Sequence, residues 1–313
     1  MSACVEVPRE ANSVRLKSIL LATDFSAASE KAFEYATAIA RRHDAKISVV
    51  HVIPESDAPL VPELSEELQW QYSTREMETL AKRDELKQTR HQLLLRRGSV
   101  WNVLSHLMRE ERVDLLVLGT HGRGGLEKLL VGSIAEEMVR LAACPVLTVG
   151  PNSIVSAALT GEFHKVLFAT EFGPASEKAV PYALFFARES GGELILLYVV
   201  RGEPLPLGEL GTAFYDDEVA TTKFEDEVML ANRDRLEDLL PLDARMMGCK
   251  TKFMVEFGVP TAEILNAAEK HQPNLMVIGA NSVVSARASA HLSWAVSHEL
   301  ICHAKCPVLT IRA

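Results

Sequence analysis

The fold is decided by the stretch KSILLATDFSAASEKAFEYATAIARRHDAKISVVHV, residues 17–52, because the chain carries it twice. The second copy, HKVLFATEFGPASEKAVPYALFFARESGGELILLYV, occupies residues 164–199 and aligns without a gap, so that Asp24 falls on Glu171. Further along, VDLLVLG ending at Gly119 pairs with PNLMVIG ending at Gly279, and a CPVL segment follows in each copy. The sequence is therefore one unit written twice.

Each copy alternates apolar runs with helix-like segments. The apolar runs are continuous: ILLA, ISVVHVI and DLLVLG in the first copy, and VLFA, LILLYVV and LMVIG in the second. Such runs are typical of parallel strands, which are buried on both faces by the helices that connect them. We predict a doubly wound α/β domain in each copy.

The two copies differ in their connections. The second holds about 13 extra residues between its second and third strands and two more before its last helix, which we expect in loops or helix extensions. In the first copy, the segment from Pro62 to Gln88 predicts one amphipathic helix with an apolar face formed by Leu64, Leu68, Tyr72 and Leu86.

Composition narrows the class of protein. The 313 residues suit two domains, and 48% hydrophobic with 24% charged residues is typical of a soluble globular protein. The net charge of −9 argues against a nucleic-acid partner. No signal peptide or membrane-spanning run is found, so we expect a cytoplasmic protein that does not enter membranes. The five cysteines form no C-x-x-C pair and are expected to be reduced thiols.

Ligands of open α/β sheets bind at the carboxyl ends of the strands. The loop after the first strand begins Ala22, Thr23, Asp24. The Asp24 carboxylate suits the hydroxyl groups of a ribose, but it suits equally well a cap for the following helix, and the sequence leaves both open. Glu171 keeps the charge in the second copy.

A glycine-rich segment, GTHGRGGLEKLLVGS at 119–133, joins the fourth strand to the last helix. Glycines let the backbone approach an anion, and a helix start offers free N–H groups, so the segment predicts an anion site. Arg123 and Lys128 either add charge there or are simply solvated. Neither a Walker A motif nor a G-x-G-x-x-G fingerprint is present.

These residues resemble the universal stress protein family in its tandem form. The family's nucleotide signature, G-x2-G-x9-G-[ST], is matched by Gly119, Gly122, Gly132 and Ser133. The resemblance implies two Rossmann-like domains of the adenine nucleotide alpha hydrolase type, each a five-stranded parallel sheet of order 3-2-1-4-5 with helices on both faces. It also implies ATP with Mg²⁺ as ligand. Asp24 would meet the ribose, the backbone of Val52 the adenine, and the glycine loop with Ile134 the phosphates.

The resemblance covers nearly the whole chain. We predict an N-terminal extension (1–15), a first domain (16–150), a linker (151–163) and a second domain (164–313). In the second domain Trp294 falls on Gly132 and Ala295 on Ser133, or, at the alternative spacing, Ser293 falls on Ser133 and Leu292 replaces the glycine. Either alignment breaks the signature, so we predict that only the first domain binds nucleotide.

The expected function is nucleotide-dependent regulation through unidentified protein partners. A nucleotide-independent interaction protein and a slow ATPase stay open as alternatives, and no catalytic residue is proposed. In the family the domains pair through their last strands, which implies an intramolecular pseudo-dimer and a homodimer of chains.

Several histidines and cysteines have a plainer explanation than chemistry. We favour an aromatic-sized filler at His51 over a catalytic base, and we rank His121 below the backbone groups of its loop. A metal site is disfavoured at His298, Cys302, His303 and Cys306, because Cys306 has its counterpart in Cys144, which has no such neighbours.

Overall fold

The structure is a computed structural model that describes residues 14–54, 62–120, 132–151, 153, 159–202, 218–241, 249–280 and 289–313. Its centre is one sheet of ten strands in the order β3-β2-β1-β4-β5-β10-β9-β6-β7-β8. The strands run over Ser18–Ala22, Lys46–Ile53, Arg90–Arg97, Leu115–Gly119, Val146–Val149, Lys165–Thr170, Glu193–Val200, Lys250–Phe257, Leu275–Ala280 and Val308–Arg312, for β1 to β10.

Within each half the sheet is parallel, in the order 3-2-1-4-5. In β2 every residue after Lys46 is buried, as expected for a strand covered on both faces. The predicted fold class and strand order are therefore confirmed in both halves.

The halves meet through their last strands. β5 and β10 pair antiparallel, with Leu309 opposite Leu147, and the Thr148 hydroxyl donates to the Val308 carbonyl over 3.1 Å. The expected pairing of the two copies within the chain is thus present. Because this pairing reverses direction, the carboxyl ends of the strands in one half lie on the opposite edge of the sheet from those in the other.

Nine helices of the described residues cover the two faces. Along the chain they span Ala27–His43, Pro62–Ala81, Asp84–Lys87, Val100–Glu110, Ser133–Leu141, Pro174–Glu189, Glu218–Asp238, Pro260–His271 and Ser289–His303, for α1 to α9. Helices α1, α2, α3, α6 and α7 contribute to the core on one face, and α4, α5, α8 and α9 to the core on the other. Each core contains buried residues of both halves, so the halves share their interior.

Residues of the linker also pack against both halves. Phe163 is almost fully buried, with its ring stacked parallel to Tyr35 of α1 at 6.3 Å and edge-on to Phe186 of α6 at 5.1 Å. Nearby, Arg42 donates to the Glu162 carboxylate at 2.6 Å and to the Glu189 carbonyl at 2.7 Å. The first half, the linker and the second half are therefore packed together around α1.

The helix predicted over 62–88 is wrong in two respects. It is divided into α2 and the short α3, with a turn between them. Leu68 and Tyr72, expected on the buried face, are 59% and 45% exposed, whereas Met77, Leu80 and Leu86 are buried. The buried residues described for α2 are Ser73, Met77 and Leu80, so the helix reaches the core through its second half.

The described cysteines are free thiols, as expected: Cys144, Cys249, Cys302 and Cys306. Burial raises the pKa of Cys144 and of Cys306 to about 12, so both stay protonated at neutral pH. A structural role accounts for both. Among the described residues, no helix combines the length and the apolar character needed to cross a membrane.

Candidate functional site

In the first half, a cleft of about 210 Å³ opens at the carboxyl ends of β1 and β4. Eight of the residues predicted from the sequence line it together: Ala22, Thr23, Asp24, Val52, Gly119, Gly132, Ser133 and Ile134. Gly122 and Arg123, with His121 and Lys128, lie outside the described residues. The cleft lies at the switch point of the sheet, where β1 has neighbours on both sides.

Asp24 is held by the turn between β1 and α1. Its Oδ1 accepts from the backbone N–H of Ser26 at 3.1 Å and from the hydroxyl of Ser29, while its own N–H donates to that hydroxyl oxygen at 3.2 Å. The helix cap itself is Ser26, whose hydroxyl accepts from the Ser29 N–H. The alternative that Asp24 caps α1 is therefore wrong: its carboxylate fixes the turn before the helix and lines the cleft.

The residue after Asp24 shapes the same turn. Phe25 has a left-handed φ of 59°, and its ring packs against His51 at 4.4 Å. The His51 ring contacts the Thr23 carbonyl through Nδ1 at 2.7 Å. His51 thus positions the β1–α1 turn, a structural role that agrees with the predicted filler.

The backbone of Val52 faces the cleft by strand geometry. The Val50 carbonyl accepts from the Thr23 N–H at 2.9 Å, so Val50 turns its backbone groups toward β1. Residues two apart in a strand face the same way, and β1 has ended at Ala22 before it reaches Val52. The end of β2 therefore directs amide groups over the open part of the cleft.

The amino terminus of α5 forms the other wall. Gly132 is its N-cap and has no side chain to accept from the first-turn N–H groups. Helices α1 and α4 are each capped by a serine hydroxyl, of Ser26 and Ser99, whereas α3, α6 and α8 lack a side-chain cap as α5 does. The Gly132 N–H donates to the Thr120 carbonyl at 2.7 Å, which fixes where the helix begins. The first turn of α5 thus offers uncapped N–H groups and a partial positive charge to an anion in the cleft.

Gly119 has a different explanation from the one its place in the glycine loop suggested. A Cβ at this position would lie 2.7 Å from the Ala28 carbonyl carbon and 2.8 Å from the Ser29 nitrogen. In the second half, a Cβ on Gly279 would lie 2.6 Å from both the Ala175 carbonyl carbon and the Ser176 nitrogen. Close packing of a helix start on the neighbouring strand thus requires glycine in both halves, whatever the cleft binds.

Sequence reasoning missed six further lining residues: Ser29, Val50, Val100, Leu118, Thr120 and Ala135. One of them had a signal in the repeat, because Ser29 and Ser176 occupy the same place in the two copies. The others become neighbours only through the sheet.

The second half has an equivalent cleft of about 410 Å³. Thr170, Glu171 and Val199 stand where Thr23, Asp24 and Val52 stand in the first, and Phe172 repeats the left-handed φ at 58°. The last helix differs. Both α5 and α9 end at matching positions, Leu141 and His303, but α9 begins at Ser289 rather than at the predicted Ala295. Helix α9 is therefore longer than α5 at its amino terminus by six residues, which is more than one and a half turns or about 9 Å.

The histidine and cysteine residues near the end of α9 lie apart from both clefts. The Cys302 sulfur is 3.8 Å from Nδ1 of His298, and Cys306 is buried. Within the described part of the chain, no three His, Cys, Asp or Glu side chains are grouped as metal ligands would be.

Comparison with known proteins gives a consistent result. The model of the universal stress protein family matches residues 15–150 and again 162–312. A universal stress protein of Methanocaldococcus jannaschii is 31% identical over 138 residues, which is 42% of this chain and 81% of that protein. A putative one of Staphylococcus haemolyticus is 34% identical over 165 residues, 48% of this chain and 96% of that protein.

A solved structure resembles the whole chain. The crystal structure of a universal stress protein from Archaeoglobus fulgidus superposes with a TM-score of 0.67 at 20% identity, covering 96% of this chain and 97% of that one. This likeness concerns the fold alone. Both halves in their present arrangement are thus found in another protein.

Proposed function

Because the chain belongs to the universal stress protein family and carries the family's domain twice, we propose that its first domain, residues 16–150, binds ATP and that the bound nucleotide regulates contacts with protein partners in the cytoplasm. One observation carries the proposal. Eight residues predicted from the sequence meet in one cleft, beside a helix start whose N-cap residue has no capping side chain.

The cleft suits the three parts of ATP. The Asp24 carboxylate, held in place by Ser26 and Ser29, accepts hydrogen bonds from the ribose hydroxyls. Backbone groups of Val52 meet the edge of the adenine, with Val50 and Leu118 as apolar walls. The first turn of α5 takes the phosphates, and Gly132 leaves room for them because it has no Cβ.

Magnesium enters this proposal with the nucleotide. Mg²⁺ keeps several water ligands and is usually held by phosphate oxygens with one or two carboxylates, so it needs no cage of protein ligands. Of the residues that line the cleft, Asp24 supplies a carboxylate. When bound, the ion neutralises phosphate charge.

The test is equilibrium dialysis of labelled Mg·ATP against the full chain. Wild type binds at about one site per chain, and Gly132→Trp loses binding by about 100-fold or more, because the indole fills the space beside the helix start that the triphosphate needs. The control Ala295→Trp places the same side chain on the exposed surface of α9 and leaves binding unchanged.

Each other result has a definite meaning. No binding by folded wild type overturns the proposal and favours the nucleotide-independent interaction protein. Binding with repeated phosphate release, lost in Gly132→Trp, turns the proposal into the slow ATPase. Circular dichroism of every variant shows whether a lost signal comes from unfolding.

A further inference from the structure

The cleft of the second half keeps one part of the first cleft and loses another. The kept part is the turn after β6. The Glu171 N–H donates to the Ser176 hydroxyl oxygen at 3.3 Å, as the Asp24 N–H does to Ser29, and the Phe172 N–H donates to Thr170 Oγ1 at 3.0 Å, as Phe25 does to Thr23. A carboxylate is therefore presented at the mouth of the cleft from the same backbone conformation.

The wall for a flat ring is also kept and is larger. Leu197 stands in place of Val50, Pro260 in place of Val100, and Ile278 in place of Leu118. The cleft also reaches Ile264 and Leu300, whose counterparts do not line the first cleft. Its volume of about 410 Å³ lies within the range of small-molecule sites.

What is lost is the helix start. Because α9 begins at Ser289, the residues that line the cleft, Val296, Ser297 and Leu300, belong to the body of the helix. N–H groups in a helix body donate to the carbonyls four residues earlier and are not available to an anion. The phosphate end of the cleft is therefore built from side chains of α9 instead of free amides.

The position of positive charge in the second cleft also disfavours a phosphate ligand. The cation among the described lining residues is Arg201, directly after β7. In the sheet β6 and β9 separate β7 from β10, and α9 connects β9 to β10, so Arg201 lies toward the ring side of the cleft and not toward α9. No described basic residue lines the end where phosphates would lie.

From these contacts we infer that the second cleft is a site for a neutral nucleoside: an adenosine-like ligand that has the base and the ribose but no phosphates. The base packs between Leu197 and Ile278, and the Glu171 carboxylate accepts from the two ribose hydroxyls. The inference rests on the proposed function for its assignment of the base and ribose positions.

The experiment blocks one cleft at a time in the full chain. Ile134 and Val296 are equivalent residues, each half-buried and lining its own cleft, so Ile134→Trp fills the first and Val296→Trp the second. Calorimetric titration of Ile134→Trp with adenosine gives one site per chain. ATP binds that site at least about tenfold more weakly than adenosine does. Adding Val296→Trp lowers the affinity for adenosine by about tenfold or more.

A second variant guards against misfolding. Glu171 is exposed at the mouth of the cleft, so Glu171→Gln leaves the packing intact. In the Ile134→Trp background Glu171→Gln lowers the affinity for adenosine about tenfold, because a neutral amide accepts less strongly from the ribose hydroxyls. It leaves the affinity for 2′,3′-dideoxyadenosine, which lacks those hydroxyls, unchanged.

Three results overturn the inference: no adenosine binding by folded Ile134→Trp, ATP binding there as tightly as adenosine, or a fluorescent fatty acid bound in place of adenosine. Failure of the proposed function is read separately. The proposed function fails if Val296→Trp, whose first cleft is intact, does not bind ATP. That result does not change what the adenosine titration of Ile134→Trp shows about the second cleft.

Discussion

At the scale of single residues, two glycines of one signature have different causes. Gly119 is required where helix α1 packs on β4, and its counterpart Gly279 meets the same contact in a half whose signature is broken. Gly132 instead begins a helix that lacks a capping side chain. Loss of the pattern in the second half therefore removes the glycine at the helix start beside the cleft and keeps the one that the packing needs.

We predict that Gly119→Ala destabilises the protein by about 1–3 kcal/mol, because the new methyl group overlaps backbone atoms of Ala28 and Ser29 that cannot move alone. Gly150→Ala is the matched control, since its nearest neighbour would be the Thr120 hydroxyl at 3.7 Å, and it should change stability by no more than about 0.5 kcal/mol. Urea unfolding measures both. A fully stable Gly119→Ala that fails only to bind ATP would show that the ligand, not the packing, selects this glycine.

At the scale of elements, the sequence predicted the strands well and the limits and exposed faces of some helices poorly. The strands followed from apolar runs and the repeat, because a parallel strand that is buried on both faces consists of consecutive apolar residues. Their order followed from the family resemblance. The start of α9 did not follow, since the alignment with α5 carried no information on how far the helix extends before Ala295. The exposure of Leu68 and Tyr72 did not follow either, because it depends on which part of α2 packs against the core.

The turn that carries Asp24 provides an element-scale prediction. Ser26→Ala removes the hydroxyl that accepts from the Ser29 N–H and should cost about 1 kcal/mol of stability. The control is Ser105→Ala within α4, whose hydroxyl donates to the Asn102 carbonyl of its own helix, and it should have an effect of about 0.5 kcal/mol or less. Equal effects of the two variants in chemical denaturation would contradict the assignment of Ser26 as the cap of α1.

At the scale of the whole molecule, the halves form one folded body instead of two joined by a tether. Antiparallel pairing of β5 with β10 makes the sheet continuous, and each face of it is covered by a core that draws on both halves. The length of the chain and the repeat predicted two domains, one for each copy. The repeat could not show that they merge, because residues such as Phe163 lie in a linker that neither copy's pattern includes.

We expect Phe163→Ala to lower the stability of both halves together, by about 3–5 kcal/mol, because its buried ring touches Tyr35 in one half and Phe186 in the other. Leu159→Ala, in the same linker but 68% exposed, is the control and should leave the melting temperature nearly unchanged. Scanning calorimetry distinguishes the cases. A variant in which only one half melts earlier would mean that the halves unfold independently.

The antiparallel pairing of β5 with β10 also decides how the protein meets its surroundings. It places the two clefts at opposite ends of the strands, and β5 and β10 also lie between them along the sheet. No small molecule spans both, and a macromolecule docked over one rim leaves the other accessible. The two clefts of the chain therefore open in opposite directions, on either side of one continuous sheet.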